Sequence, residues 1–281
     1  MKTKFLTSML VLALLFSVSC TKDDNNTDPD AVTIPPYETM ALDFSDFMDD
    51  NSNSGKAALT AKPGDHWVYS RIVVGVWNTA LFTTLAIPVA SFRTAFNHSP
   101  EFLGDNVWQW SYTVDGFASQ YTAKLTGELV GEEIHWKMYV SKTGTDPFEE
   151  FLWFTGVSKK DARSGHWVLN QSSDRQHAML RIDWERENDE VAGIRYSWVR
   201  EKRDDDSADT FKDSYLEYGL QEGDYNVFYN IHAFDDNLDS FSDVNIEWNR
   251  TAFYGRVRAA QYYNDEEWRC WDETGEDATC E

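Results

Sequence analysis

The chain has 281 residues and a formal net charge of −23 at pH 7. A field of that sign repels phosphate backbones and anionic lipid, so the composition argues against nucleic acid as a partner and against charge-driven docking on anionic membranes. The chain has 12 Trp, too many for one binding site, so most of them are expected in the core.

The N-terminus predicts export from the cytoplasm. Lys2 and Lys4 precede an uncharged apolar run over residues 5–18. This arrangement is typical of a secretory signal and is too short for a spanning helix. We therefore predict a signal peptide over residues 1–19. A polar, acidic stretch follows with little to bury, so residues 20–33 are predicted to form a disordered tether.

Two short motifs follow the signal. Val18-Ser19-Cys20 resembles the lipobox of bacterial lipoproteins, in which the signal is cleaved before the cysteine and that cysteine is acylated. Cys20 is followed by Thr21 and then by Lys22, Asp23 and Asp24, which resembles the surface-export signal of Bacteroidota-type lipoproteins. The resemblance implies a palmitate-type lipid anchor in the outer membrane and a domain that faces the cell surface. The alternatives are a free cysteine after ordinary signal cleavage and a solvated acidic linker.

One domain is predicted over residues 34–281. Its first residues, 34–47, resemble the start of an uncharacterised family of such lipoproteins, which implies location but no activity. Residues 72–92 contain no charged residue, and this segment is long enough to raise the question of a membrane span. Pro88 and several polar side chains interrupt this segment, which argues against a span.

The same segment predicts one or two buried helices. Its apolar residues lie nearly all round a helical wheel, which is typical of a helix enclosed by protein. We therefore predict a helical segment over residues 71–97, with Ser70 as its N-cap.

The rest of the chain predicts a mainly β fold. Apolar residues occupy every second position of short runs, which is typical of antiparallel strands with one covered face and one wet face. Turn signals separate the runs and leave no room for crossover helices. About eleven strands are predicted, near residues 107–114, 119–128, 133–141, 149–157, 165–170, 177–185, 190–200, 211–219, 224–233, 242–249 and 252–259. So many strands must curl, and we predict a large curved antiparallel meander, half-barrel or barrel-like, packed on the helical segment.

This arrangement is similar in pattern to the half-barrel lipoprotein carriers and related lipid-binding lipoproteins, which place an N-terminal helix against antiparallel strands. The resemblance implies a cavity between helix and sheet for a small apolar or lipid-like ligand. A helix that fills the cavity completely would leave no room for one.

Two cysteines remain once Cys20 is assigned to lipid. Outside the cytoplasm, Cys270 and Cys280 are predicted to form a disulfide that closes the C-terminal tail. Neither a CxxC spacing nor a nearby histidine favours a metal or redox site.

Two acidic loops carry the other candidate sites. Asp235, Asn237 and Asp239 alternate like the first ligands of a calcium loop, but the glycine and the final carboxylate of that template are missing. Calcium is the one cofactor that these residues suggest. The alternative to a calcium site is an acidic turn between two strands. Residues 204–209 are predicted to form a solvated loop. Within it, Asp206-Ser207-Ala208 resembles the short O-glycosylation sequon of the same bacterial group, which implies Ser207 as its site.

No catalytic residue is assigned, because nucleophile elbows, P-loops and dinucleotide fingerprints do not occur in the sequence. His177 with Arg181, and Arg195 with Tyr196, form the one arrangement considered for proton transfer in a polysaccharide lyase. Regular alternation places the tryptophans in the core rather than on a sugar-stacking surface.

These patterns favour a non-enzymatic, lipid-anchored binding protein for an apolar or lipid-like ligand or a glycan. An accessory subunit of an outer-membrane complex is a further possibility. The alternative is an extracellular polysaccharide-active lyase or hydrolase. A carrier requires an open cavity lined by Leu, Trp and Phe, whereas an enzyme requires titratable side chains that converge in a groove.

Overall fold

A computed structural model describes residues 29–41, 65–115 and 119–280. The predictions for the signal peptide, for acylation at Cys20 and for the export signal at Lys22, Asp23 and Asp24 lie outside the described residues. Ala31–Glu281 is one structural unit.

In the described part of the chain, fourteen antiparallel strands form one open sheet in which every strand pairs with its neighbours in sequence. They are β1 (Glu101–Gly104), β2 (Val107–Asp115), β3 (Ser119–Val130), β4 (Glu133–Gly144), β5 (Phe148–Lys159), β6 (Ser164–Asn170), β7 (Ala178–Glu187), β8 (Glu190–Trp198), β9 (Tyr215–Leu220), β10 (Val227–Asp235), β11 (Ser240–Trp248), β12 (Gly255–Arg258), β13 (Arg269–Trp271) and β14 (Asp277–Ala278). The predicted curved meander is confirmed, and its sheet is not closed. The additional strands β1, β13 and β14 span two to four residues, too few for an alternating pattern.

Alternation along the strands gives the sheet an apolar and a polar face. In β4, Ile134, Trp136, Met138 and Val140 are all buried, whereas the residues between them are at least partly exposed. Directly opposed residues on neighbouring strands share a face, so this pattern propagates across the sheet through the cross-strand pairs.

Several tryptophans of the apolar face lie over glycines of the neighbouring strand. Trp167 of β6 is directly opposite Gly156 of β5. A Cβ atom at Gly156 would overlap the indole ring and would stand 2.8 Å from the carbonyl oxygen of His166. The glycine therefore makes room for a ring that a side chain would displace. The same pairing recurs at Gly127–Trp136, Gly165–Trp184 and Gly255–Trp271.

Helix α1 (Asp65–Ala95) lies on the apolar face. It contacts β2 and β3 near one end of the sheet and β12, β13 and β14 at the other. Because the strands follow one another in chain order, a helix that reaches both ends requires the sheet to curve around it. The helix begins six residues before the predicted segment 71–97, so Ser70 is not its N-cap. The Ser70 hydroxyl instead donates to the carbonyl of His66, 2.9 Å away, within the helix.

Aromatic contacts hold the first turns of α1 against the C-terminal part of the chain. The ring centroids of Trp67 and Trp271 are 5.4 Å apart, and Tyr69 stacks on Tyr262 at 4.1 Å. Tyr262 belongs to the short helix α2 (Ala260–Tyr263). Burial and the neighbouring Tyr262 raise the pKa of Tyr69 to about 12, which keeps this phenol neutral.

The last turns of α1 are held by the first half of the sheet. Phe92 packs edge-on against Phe154 and Trp167, with centroids 5.8 and 5.1 Å away. The Tyr112 hydroxyl donates to the carbonyl of Ser91 at 2.5 Å. Both ends of α1 are thus pinned to the apolar face.

The prediction that α1 is enclosed on all sides is wrong. Ile72 and Val76 are 60% and 62% exposed, whereas Val74, Leu85 and Phe92 are buried. Only one side of the helix meets the sheet, since the sheet is a single open layer. Among the described residues no single helix is long and apolar enough to cross a membrane, although the two parts of α1, Asp65–Leu81 and Thr83–Ala95, meet those criteria together across a 58° bend.

The chain before α1 also packs on the apolar face. Residues 37–39 form a short 3-10 turn, after which Met40 is fully buried. The Trp167 indole N–H donates to the Thr39 hydroxyl at 3.2 Å. This segment fills part of the space between α1 and the sheet.

The predicted disulfide between Cys270 and Cys280 is confirmed, with a Cα–Cα distance of 5.2 Å. It ties β13 to the chain that follows β14. Since β13 also carries Trp271, the bridge secures the partner of Trp67 at the start of α1.

The glycine–tryptophan pairing predicts unequal costs for two alanine substitutions. Gly156→Ala should lower the free energy of unfolding by roughly 1–3 kcal/mol, because the new methyl group meets the Trp167 ring and a backbone carbonyl. Gly193→Ala is the matched control in another strand, since the nearest atom to its Cβ is the mobile end of Glu185, 3.0 Å away. Urea unfolding measures both changes, and equal costs would contradict this description of the sheet.

Candidate functional site

A cavity of about 380 Å³ lies between the middle of α1 and strands β7, β8 and β9. The helix contributes Trp77, Ala80, Leu81 and Thr84. The opposite wall and rim are formed by Leu180, Tyr196, Trp198, Arg200, Phe211, Ser214, Tyr215 and Leu216. This volume lies within the range of pockets that hold small molecules. The open cavity lined by Leu, Trp and Phe that a carrier requires is therefore present.

The cavity lies where α1 is least constrained by the sheet. The aromatic anchors of the helix are at its two ends, and the 58° bend falls between Leu81 and Thr83. The hydroxyls of Thr79 and Thr83 donate to the carbonyls of residues 75 and 79, a pattern that bends helices. Pro88 also has no amide hydrogen for the carbonyl of residue 84. The bent middle of the helix thus leaves a gap above β7–β9.

Aligned apolar side chains form the sheet wall. Leu180 is directly opposite Trp198, and Tyr196 is directly opposite Leu216. Leu180, Tyr196 and Leu216 are held by their strands and are at most 4% exposed. Their positions are therefore fixed before any ligand enters.

The polar groups at the rim already have partners. The Ser214 hydroxyl accepts the amide of Phe234 at 3.2 Å. The Arg200 Nε donates to Asp209 Oδ2 at 2.5 Å, and its guanidinium lies 5.3 Å from the Trp198 ring centroid. With the cation neutralised, the lining favours apolar groups over ions.

Asp209 organises the loop that closes this rim. Its side chain is fully buried, and its carboxylate accepts hydrogen bonds from Trp198 Nε1 at 2.9 Å and from the amide of Phe211 at 3.1 Å as well as from Arg200. Burial by itself raises the pKa of Asp209, but these hydrogen bonds outweigh it and hold the pKa below the usual value. The prediction of a solvated loop is wrong for Asp209, because the chain folds back to satisfy two side chains of the cavity rim.

The rest of that loop is exposed, as predicted. Residues 204–206 and Ser207 face solvent. The amide and the hydroxyl of Ser207 both donate to Asp205 Oδ1, at 3.0 and 2.6 Å. Glycosylation of Ser207 stays a prediction.

Asp235, Asn237 and Asp239 lie at the turn between β10 and β11. The Asn237 amide donates to Asp235 Oδ1 at 2.8 Å, as in an Asx turn. In the parts of the chain that the structure describes, no group of three or more His, Cys, Asp or Glu side chains is arranged to hold a metal ion. The three residues thus form an acidic turn between the strands, and calcium binding there stays a prediction.

A second depression, of about 680 Å³, lies on the polar face of the sheet. One wall is a row of residues in which each lies directly opposite the next across strands β6–β9. The row consists of His166, Asp183, Arg195 and Glu217. On the other side of the depression two directly opposed residues, Gly193 and Gly219, carry no side chain. The Phe228 ring packs over Gly219, and the end of the Glu185 side chain lies over Gly193.

Ion pairs engage several of the charges in this polar groove. The Arg181 guanidinium donates to both carboxylate oxygens of Asp183, with its Nε 2.8 Å from Oδ2. Arg195 Nη1 is 3.7 Å from Glu217 Oε1. Burial and then the Arg181 charge lower the pKa of His166, so its imidazole is neutral at pH 7. The paired side chains remain partly exposed, Asp183 by 44% and Arg195 by 41%, so they can still form hydrogen bonds with a polar ligand.

The proton-transfer cluster considered from the sequence is not assembled. Tyr196 is buried on the apolar face, whereas Arg181 and Arg195 lie on the polar face. His177 is exposed just before β7. The clustering failed because side chains of adjacent residues on a strand point to opposite faces. Trp108, Trp110 and Tyr112 are buried, as the alternation predicts.

No protein-family model matches the chain, and no curated protein and no solved structure is significantly similar to it.

The Asp209 network predicts a local, pH-dependent contribution to stability. Asp209→Asn should lower the free energy of unfolding at pH 7 by about 2 kcal/mol, because the buried partners lose a charged acceptor. The folded-state pKa is depressed, so the contribution is present above the unfolded pKa of about 3.9 and is lost as pH falls through the folded value.

The stability gap between wild type and Asp209→Asn should therefore narrow in acid. Asp206→Asn, in the exposed part of the same loop, is the control and should change stability by less than about 0.5 kcal/mol. Denaturant titrations at neutral and acidic pH measure the gap. A gap that widens on acidification would contradict the assigned hydrogen bonds.

Proposed function

We propose that this chain is a lipid-anchored outer-membrane protein that binds a small apolar or lipid-like molecule, without catalysis, in the cavity beneath α1. The observation that carries the proposal is the cavity of about 380 Å³ between α1 and β7–β9. Its walls are Leu, Trp, Tyr and Phe side chains, and the cation at its rim is paired. Removing apolar ligand surface from water would drive binding.

The location rests on the N-terminal motifs and on the oxidised cysteine pair. Val18-Ser19-Cys20 and the following Lys22, Asp23 and Asp24 support acylation and surface export. Disulfides persist in oxidising compartments outside the cytoplasm, so the bridge in the tail supports the same location. The net charge of −23 suits a solvated surface domain.

Cys20→Ala should release the protein from the membrane fraction, because the acyl anchor supplies its membrane affinity. Replacing Lys22, Asp23 and Asp24 by alanine should leave it in the membrane but protect it from protease added to intact cells. Fractionation with incorporation of labelled palmitate, followed by protease shaving, measures both effects. Replacing Asp28 and Asp30 by alanine is the control for charge. An unchanged membrane fraction for Cys20→Ala would refute the anchor.

Ala80→Trp should block the cavity and lower the affinity for a fluorescent fatty-acid analogue at least about tenfold. Ala80 lines the mouth of the cavity and is exposed, so a larger side chain can enter without displacing the core. Ala86→Trp is the matched control, because Ala86 is exposed on the same helix and does not line the cavity. Probe binding that is equal in both variants would refute the cavity as the ligand site.

A second candidate is glycan binding in the polar groove, favoured by the 680 Å³ depression with its wall of His166, Asp183, Arg195 and Glu217. Because Asp183 and Glu217 each face an arginine, the groove supports binding more than hydrolysis. One experiment distinguishes ligand binding in the cavity from glycan binding in the polar groove. Ala80→Trp lies on the other face of the sheet and should leave glycan binding intact.

A further inference from the structure

The outward side of α1 carries exposed apolar residues both before and after the bend of the helix. Ile72, Val76 and Ile87 are 60%, 62% and 38% exposed. With 3.6 residues per turn these three positions fall within one narrow sector of the helix. Thr79, Thr83, Ala86 and Ala90 are exposed in the same sector. We call these seven residues the outer face of α1. Exposed apolar side chains that are grouped in this way mark sites of interaction.

The outer face offers neither charge nor free hydrogen-bond donors. No charged residue occurs from position 72 to position 92, and Arg71 and Arg93 stand at the two limits of that segment. The hydroxyls of Thr79 and Thr83 both donate to helix carbonyls at 2.8 Å. Their methyl groups are therefore what the face presents. Such a surface matches hydrocarbon better than it matches the polar rim of a protein partner.

We propose that the outer face of α1 docks on the surface of a lipid bilayer, and that the cavity beneath α1 takes its ligand, a membrane lipid chain, from that bilayer. Val74, Leu85 and Phe92 hold the opposite side of the helix on the sheet, so the helix lies along the membrane surface and does not cross it. The bilayer is one of uncharged or zwitterionic headgroups, because the chain carries −23 charges and anionic headgroups repel it.

Because the proposed lipid anchor keeps the domain near the bilayer, a weak contact between the outer face and the bilayer is sufficient for docking. In this respect the inference rests on the proposed function. From Cys20 to Ala31 the chain has 11 residue steps, which reach at most about 40 Å when fully extended. An anchored domain stays within that distance of the bilayer, so docking becomes an intramolecular event at high effective concentration.

The mouth of the cavity borders the outer face. Ala80 and Thr84 line the cavity and are exposed, and they lie on the turns between Val76 and Ile87. A bilayer in contact with the outer face would therefore meet the mouth directly. An acyl chain entering there passes from hydrocarbon to an apolar cavity without crossing bulk water.

Vesicle flotation at high lipid concentration tests the docking with the chain from Thr21 onward, which has no lipid of its own. The high lipid concentration replaces the effective concentration that the anchor would supply, so a weak contact is detected. It should float with phosphatidylcholine vesicles, and adding anionic phosphatidylglycerol should not strengthen binding. The double variant Ile72→Asp with Val76→Asp should bind about tenfold more weakly or not at all, because both carboxylates would enter the headgroup–acyl boundary. Leu103→Asp, at an exposed apolar position of β1, is the matched control and should float like wild type.

Both substituted residues are exposed, and circular dichroism of the double variant should match that of wild type. Equal flotation of the double variant and wild type would overturn the proposal. The proposal would also be overturned if wild type self-associates, the double variant is monomeric, and neither protein floats. That result would assign the outer face to contact with a second copy of the chain.

A fatty-acid probe in the absence of vesicles separates this proposal from the function it builds on. The double variant should keep wild-type probe affinity, because neither residue lines the cavity. Flotation without probe binding would leave docking standing and refute the ligand site. Probe binding without flotation would refute docking alone.

Discussion

The architecture depends on the attachment of one helix at both of its ends to a single curved sheet. Trp67 and Tyr69 fix the first turns of α1 to the C-terminal part of the chain, and Phe92 fixes the last turns to the first half of the sheet. Phe92 is fully buried, and such a side chain contributes roughly 1.5–3 kcal/mol, whereas Trp67 and Tyr69 are partly buried. The two groups of contacts together hold the helix in place and the sheet curved. The space between the two attachments is where the cavity forms.

The two faces of the sheet have different chemical uses. The apolar face carries the helix, the segment before it and the cavity, whereas the polar face carries rows of opposed charges. On the polar face, Arg181 and Arg195 face Asp183 and Glu217. Carboxylates that are paired with arginines in this way fit a binding surface. The proposal of a binding protein rests on the arrangement of both faces.

The sequence predicted those features that depend on local pattern. Alternation along β4 predicts its buried residues, and the cysteine pair, in a chain with a predicted export signal, predicts its disulfide. The short spacing between the predicted strands then indicates hairpins, in which consecutive strands pair and place their residues directly opposite one another. These features need only period two, turn chemistry and the redox compartment.

The features that the sequence could not predict depend on how the helix, the sheet and the loops are placed relative to one another. A helical wheel shows that α1 is apolar all round, but not that only one protein layer is present to cover it, so Ile72 and Val76 were predicted to be enclosed. Asp209 stands in an acidic run, and its burial depends on a tryptophan and an arginine brought to it by the fold. The cavity likewise arises from the bend between Leu81 and Thr83, which apolar periodicity does not encode.

Crystallography under xenon pressure tests the central claim most directly, because apolar cavities bind xenon whereas packed cores exclude it. We predict a xenon site enclosed by Trp77, Leu81, Leu180, Phe211 and Leu216, between α1 and the sheet. The helix should remain attached at both ends in that structure. A side chain that fills this space, with no xenon bound there, would contradict the account.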